Sequence, residues 1–249
     1  MPPPITFEPF GTAHLSTLYL IFAVALALPL AVRFLVPTAV RGVAYALAGL
    51  LLAQEGIKFW MRLDTHGFSA DLLPLPMCTL AVYLSAWMLI TRDRRIFEIV
   101  YFWGLGGTTQ ALLTPDLEEG FPALSCLLFF LGHGAIIVSI FYAMVLFRLR
   151  PYLASLPRVM FITAAVAIVA FAVNLWLGTN FMYLMAKPGR PSLLDWFGPW
   201  PWHLIGLLIV SLLSFVLLYF PFFVADWINR NPPTRYEKRR DLDMPTKRL

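Results

Sequence analysis

The chain has 249 residues, of which 59% are hydrophobic and 13% charged, with a formal net charge of +5. A water-soluble domain carries about 25% charged residues. This composition therefore excludes an ordinary solvent-facing surface and makes the bilayer the main solvent. The positive charge has an explanation in its location along the chain, given below, rather than in nucleic-acid binding.

The sequence opens Met1-Pro-Pro-Pro, without a basic n-region or a small-residue cleavage site, so no cleaved signal peptide is expected and the first helix itself directs insertion. A helix needs about 20 apolar residues to cross the hydrocarbon core. Apolar stretches of that kind lie at about 15–36, 39–60, 72–90, 96–113, 121–147, 158–178 and 201–227. A closed β-barrel requires alternation of polar and apolar residues, and runs such as 204–218 do not alternate. The expected fold class is therefore all-α: a polytopic membrane protein with seven transmembrane helices. One transmembrane domain is expected over 1–228, followed by a basic tail over 229–249.

Basic residues set the orientation. Arg33, Arg41, Arg92, Arg94, Arg95, Arg148, Arg150, Arg158 and the tail cations fall on one side. The other side holds Lys58, Arg62, Lys187 and Arg190, together with Asp64, Asp71, Asp116, Glu118, Glu119 and Asp195. The N-terminus is thus expected to be extracytoplasmic and the C-terminus cytoplasmic. The tail either lies against anionic headgroups or is solvated and disordered.

The longest loop, about 179–200, is extracytoplasmic, apolar and aromatic. It either folds over the helix ends as a lid or forms an interfacial belt, with Trp196, Trp200 and Trp202 at headgroup depth. No internal repeat supports an inverted-repeat transporter.

Two residues are not required merely to span lipid. Cys78 follows Pro74 and Pro76; if Pro76 is near the first helical turn, the thiol sits at the positive end of the helix dipole. The competing reading is a small buried hydrophobe. His133 lies well inside the fifth span, between Gly132 and Gly134, which remove bulk and allow close approach of a helix or a ligand. The competing reading is a histidine hydrogen-bonded between helices. Gln54, Glu55, Thr108, Thr109, Gln110, Asn174, Asn180 and His203 fall toward the extracytoplasmic ends of their spans. They fit a polar pocket opening outward, or ordinary interhelical hydrogen bonding.

An imidazole within reach of a thiol suits nucleophilic catalysis through a thioester. Depth opposes the pairing: at 1.5 Å per residue, Cys78 and His133 differ by roughly 9 Å along their helices. Tilt or an earlier start of the third helix would close that gap. The histidines and cysteines show no tight metal-ligand spacing, and no metal is expected. Walker, dinucleotide and Gly-x-Ser-x-Gly signatures are absent. Cys78 and Cys126 both lie in apolar segments and could form a disulfide only if they faced each other.

Several blocks carry a resemblance. They are Leu73-Pro-Leu-Pro-Met-Cys78, Gln110-Ala-Leu-Leu-Thr-Pro-Asp116, Phe121-Pro122 leading to Phe129-Phe130 and His133-Gly134, Asn180-Phe-Met-Tyr-Leu with Lys187-Pro188, and Gly198-Pro-Trp-Pro-Trp202. With these blocks in this order the chain resembles the YwaF-type integral membrane proteins of bacteria. Their animal relatives include the TMEM-type membrane acyltransferase that builds polyunsaturated ether phospholipids. The resemblance implies a seven-helix fold and a cysteine and a histidine that shuttle an acyl chain between phospholipids. The Leu-Pro-Leu-x-x-Cys block puts that cysteine at Cys78, and the Phe-Phe-x-x-His-Gly block puts that histidine at His133. Two departures bear on the pocket. Pro76 stands where relatives often carry a polar residue, and His203 stands where an aromatic residue is expected.

The function expected is a membrane acyltransferase or transacylase working from the extracytoplasmic leaflet. Cys78 is the expected acyl-accepting nucleophile and His133 the base and acid. Gln110 and Asn180 are expected as orienting or oxyanion groups, and Asn174, Glu55, Trp202 and His203 as further substrate-binding residues. No soluble cofactor is required. A phospholipid donor and a lysophospholipid acceptor are implied by the resemblance, as is a bacterial cytoplasmic (inner) membrane location. The competing function is a non-enzymatic lipid or small-molecule binder, a sensor or carrier, which accounts for the polar pocket without a Cys–His contact.

Overall fold

Proline, glycine and capping residues cut the apolar sequence into helices, seen here in a computed structural model that describes residues 5–188 and 193–228. The basic tail and Arg190 lie outside the described residues. Helix α1 (Thr12–Phe34) leads through a short turn at Pro37–Ala39 into α2 (Val40–His66). Gly67 ends α2 in a left-handed conformation (φ 65°), its N–H donating to the Leu63 carbonyl. Helix α3 (Met77–Thr91) begins later than the hydrophobic run near residue 72. The reason is local: residues before proline are steered away from helical backbone, and Leu73 ahead of Pro74 is extended (ψ 134°), as is Pro76 itself (ψ 132°).

Arg92 closes α3 at φ 58°, and Asp93 caps α4 (Arg94–Trp103) by accepting from the Arg95 and Ile96 N–H groups at 2.7 and 3.1 Å. Helix α4 runs on through a π-helical segment, Gly104–Thr108, into α5 (Thr109–Leu113). Helices α6 (Leu124–Leu146), α7 (Ser155–Leu177) and α8 (Trp202–Ile228) follow. The chain is all-helical over the described residues apart from an isolated bridge between Thr6 and Glu119. Helices α1, α6, α7 and α8 are each long and apolar enough to cross a membrane, and α3 is a shorter apolar helix of 15 residues.

Helix α6 is the most enclosed of these, whereas α1, α7 and α8 show most of their length to the surroundings. Around α6 pack α1, α2, α3 and the π-helical segment. The two glycines flanking His133 account for the close fit. A Cβ on Gly132 would lie 2.7 Å from the Gln54 side chain of α2, and one on Gly134 would lie 2.9 Å from Ile21 of α1. Helix α8 joins through Phe215, whose ring lies 4.9 Å from that of Phe102, and through the Tyr101 hydroxyl, which donates to the Leu218 carbonyl at 2.9 Å.

The N-terminal arm is stitched to the connection before α6. The Phe7 N–H donates to the Glu118 carbonyl and the Gly120 N–H to the Ile5 carbonyl, at 3.1 and 2.7 Å. His14, buried in α1, accepts the Phe10 N–H at Nδ1 and so carries its proton on Nε2, which donates to the Leu112 carbonyl at 2.8 Å. At the far end of the bundle Glu98, 1% exposed, is paired with Arg94 at 3.3 Å and with Arg158. The Arg94 guanidinium also lies 3.5 Å from the Tyr152 ring centre, and Arg150 pairs with Asp226 of α8.

Candidate active site

The proline-rich approach to α3 makes Cys78 its second residue, half-buried, in the turn where unpaired backbone N–H groups concentrate partial positive charge. The next residue, Thr79, is buried and its hydroxyl lies 3.4 Å from Glu55 Oε1 on α2. Glu55 is 2% exposed. Its other oxygen accepts from Lys58 Nζ at 2.8 Å, and the Gln54 amide approaches the same oxygen at 3.4 Å. Gln54 Nε2 also donates to the Leu51 carbonyl at 3.1 Å, while its buried Oε1 has no partner among the described residues.

Gln54 packs on Gly132 of α6, beside His133. The His133 ring stacks on Phe129 with centroids 4.1 Å apart, and Nδ1 lies 2.8 Å from the Phe129 carbonyl. A carbonyl only accepts, so Nδ1 carries the proton in neutral imidazole. Nε2 keeps its lone pair and has no hydrogen-bond partner among the described residues. Helices α2, α3 and α6 pack pairwise against one another. Thr79 and Gly132, each next to one of the Cys78–His133 pair in sequence, contact the consecutive residues Glu55 and Gln54 of α2.

The loop between α7 and α8 is held in shape by its own polar side chains. Asn174 accepts the Phe181 N–H and the Thr179 hydroxyl, both at 2.8 Å, and donates to the Phe181 carbonyl at 3.0 Å. Asn180 accepts the Met185 and Ala186 N–H groups at 2.9 and 3.1 Å and donates to the Ala186 carbonyl at 2.9 Å. His203, fully buried, has Nε2 2.9 Å from the Tyr183 carbonyl. Met182 and Tyr183 adopt left-handed backbone at φ 59° and 55°, a strained conformation for non-glycine residues. Burial raises the Tyr183 phenol above its ordinary range, with a further push from Asp116 and Cys78.

Of the residues expected from sequence, Cys78 and His133 lie on helices that pack on α2, next to residues that meet Glu55 and Gln54 respectively. Asn174, Asn180 and His203 shape the loop. Both ends of the Asn180 amide are engaged with loop backbone, with one of its two N–H donors used by the Ala186 carbonyl. Gln110 is exposed and donates to the Thr114 hydroxyl on its own helix at 3.1 Å, and Trp202 is exposed, so both stand outside the cluster. Trp196 and Trp200 are exposed, while Phe181 is buried. Sequence reasoning counted Lys58 only as a charge and passed over Thr79. The signal for Lys58 was its position three residues after Glu55, a spacing that puts both on one helix face inside an apolar run. No three His, Cys, Asp or Glu side chains gather among the described residues to hold a metal ion, and both cysteines are free.

The sequence pattern of the TMEM164 family matches residues 9–219. The chain belongs to that family. The TMEM164 match takes in every residue of the Cys78–Glu55–His133 cluster and stops inside α8. An uncharacterized protein of Treponema pallidum (strain Nichols) is 27% identical over 221 residues, covering 87% of this chain and 90% of its own length. No solved structure matches.

Proposed function

We propose that this TMEM164-family protein is a membrane-embedded acyltransferase or transacylase that moves a fatty acyl chain between phospholipids through a thioester on Cys78. The observation that carries the reading is the shared environment of the two reactive groups. A half-buried thiol opens α3, and an imidazole with its Nε2 lone pair unclaimed lies on α6, both beside the Gln54–Glu55–Lys58 segment of α2. The resemblance to YwaF-type proteins and the animal acyltransferase gives the substrate class.

In the first half-reaction His133 Nε2 takes the thiol proton and the sulfur attacks the donor ester carbonyl. The C–S bond forms, the ester C–O bond breaks, and the proton passes to the departing lysophospholipid oxygen. In the second, His133 takes the proton of an acceptor hydroxyl, which attacks the thioester carbonyl. The C–S bond breaks and the proton returns to sulfur. Seven membrane-crossing helices, an extracytoplasmic N-terminus and a bacterial cytoplasmic membrane location belong to the same proposal. They put the cluster within the extracytoplasmic leaflet. The test is acyl transfer from a labelled phospholipid to a lysophospholipid by purified protein in vesicles. Transfer is expected to fall to background in Cys78→Ala. Undiminished transfer would eliminate the assigned nucleophile.

The second reading is a non-enzymatic lipid or small-molecule binder. The buried, unpartnered Gln54 Oε1 favours it, because that acceptor suits a ligand donor whether or not chemistry follows. Trapping Cys78 with a lipid-like electrophile separates the two: dependence on His133 supports catalysis, and indifference supports binding.

A further inference from the structure

Glu55 is a buried carboxylate, and a buried carboxylate requires a partner. The protein meets that need in two ways. Glu98 is held by two guanidiniums, a rigid and complete arrangement. Glu55 has a single ammonium, Lys58, whose side chain remains 22% exposed, together with 3.4 Å approaches from Thr79 and Gln54. Lysine is a compact charge on a flexible stem, able to serve a second partner while keeping the first. Thr79, the residue after Cys78, meets Glu55 Oε1 at 3.4 Å, and Oε2 of the same carboxylate holds Lys58 Nζ at 2.8 Å, so this ion pair of α2 stands against the opening turn of α3 that carries the thiol. Lys58 is its cation.

We propose that Lys58 is a positioning residue of the site: held by Glu55, it supplies the positive charge that stabilises negative charge developing on the Cys78 sulfur and on the carbonyl oxygen that sulfur attacks. The assignment rests on Cys78 being the reacting group of the proposed function. Glu55 tethers the cation and opposes it, so the two residues of one ion pair act on the thiol with opposite sign. A lysine present only to neutralise Glu55 would have no such signature.

The test is the rate at which a neutral thiol reagent alkylates Cys78 in the full-length protein in detergent, mapped by peptide mass. Lys58→Met is expected to slow alkylation about tenfold, and Glu55→Gln to accelerate it several-fold. Lys58→Arg is expected to stay within about threefold of wild type, as is the double variant Glu55→Gln/Lys58→Met, in which both charges are gone. An unchanged rate in Lys58→Met, or movement of both single variants in the same direction, overturns the assignment. If Lys58→Met does not accumulate, the double variant decides: a rate near wild type supports the proposal and a tenfold loss ends it. Alkylation needs no acyl donor. Opposed rates without any acyl transfer would remove the acyltransferase reading and leave the role of Lys58 in place.

Discussion

Glu55 and Glu98 are both buried, both helical and both paired with cations, yet they sit at opposite ends of the bundle in different company. Around Glu98 the charges are doubly matched: Arg94 and Arg158 hold the carboxylate, and Arg94 also covers Tyr152. Around Glu55 one cation stands where Glu98 has two, the other contacts are 3.4 Å approaches from neutral groups, and the neighbouring Gln54 oxygen has no partner among the described residues. A protein that pairs one buried carboxylate with two arginines gives the other a single lysine, beside the opening turn of α3 that carries the thiol. Unpaired polar groups are costly in an apolar interior. The Gln54 oxygen beside Glu55 is such a group, and it adjoins the α3 and α6 segments that carry Cys78 and His133.

That contrast can be broken by experiment. The largest expected effect on stability is at the committed end. Glu98→Ala leaves two arginines facing each other across an apolar gap. Because both remain partly exposed, a loss of about 2–3 kcal/mol is expected, below the range for a fully buried pair. Thermal unfolding in detergent measures it, and an unchanged midpoint would remove the distinction between the two ends. A smaller effect is expected from Asn174→Ala, which frees the Phe181 backbone groups and costs about 1–2 kcal/mol. Its signature is faster proteolysis within 179–188, with cleavage elsewhere unchanged. Smallest is Arg150→Met, which breaks the pair with Asp226. Less than about 1 kcal/mol is expected for such a partly exposed pair, and Cys78 alkylation should keep its wild-type rate. A change in that rate would mean the two ends communicate.

Much of this was legible in the chain. The apolar runs located the helices because lipid leaves the backbone no alternative to internal hydrogen bonding. Gly132 and Gly134 announced close approach around His133, and α2 and α1 make it. Pro74 and Pro76 placed Cys78 in the opening turn of α3. Other features depend on contacts between distant segments. Asn174 and Asn180 read as pocket donors because they are polar and outward, but only the folded loop reveals that their amides hold its backbone. Gln110 looked equivalent until its side chain turned along its own helix. Lys58 was hidden in a charge tally, since a cation near a membrane surface is unremarkable without Glu55 and Cys78 beside it. The π-helical segment at Gly104–Thr108 adds one residue per turn against the α-helical register, a shift that hydrophobic periodicity over so short a span does not disclose.

The pairing of α1 with α6 has a consequence for biosynthesis. Helix α1 leaves the ribosome first, but its packing surface and the carbonyl that receives the His14 proton belong to segments made about a hundred residues later. At about 5–20 residues per second, the opening helix waits in the bilayer for roughly 5–20 s before its neighbour is translated. Its apolar faces suit that interval, whereas His14 and the short arm ahead of it stay unclaimed until Leu112 and residues 118–120 emerge. A nascent chain arrested before α6 would carry an inserted but undocked first helix, the kind of intermediate that membrane quality control is built to detect.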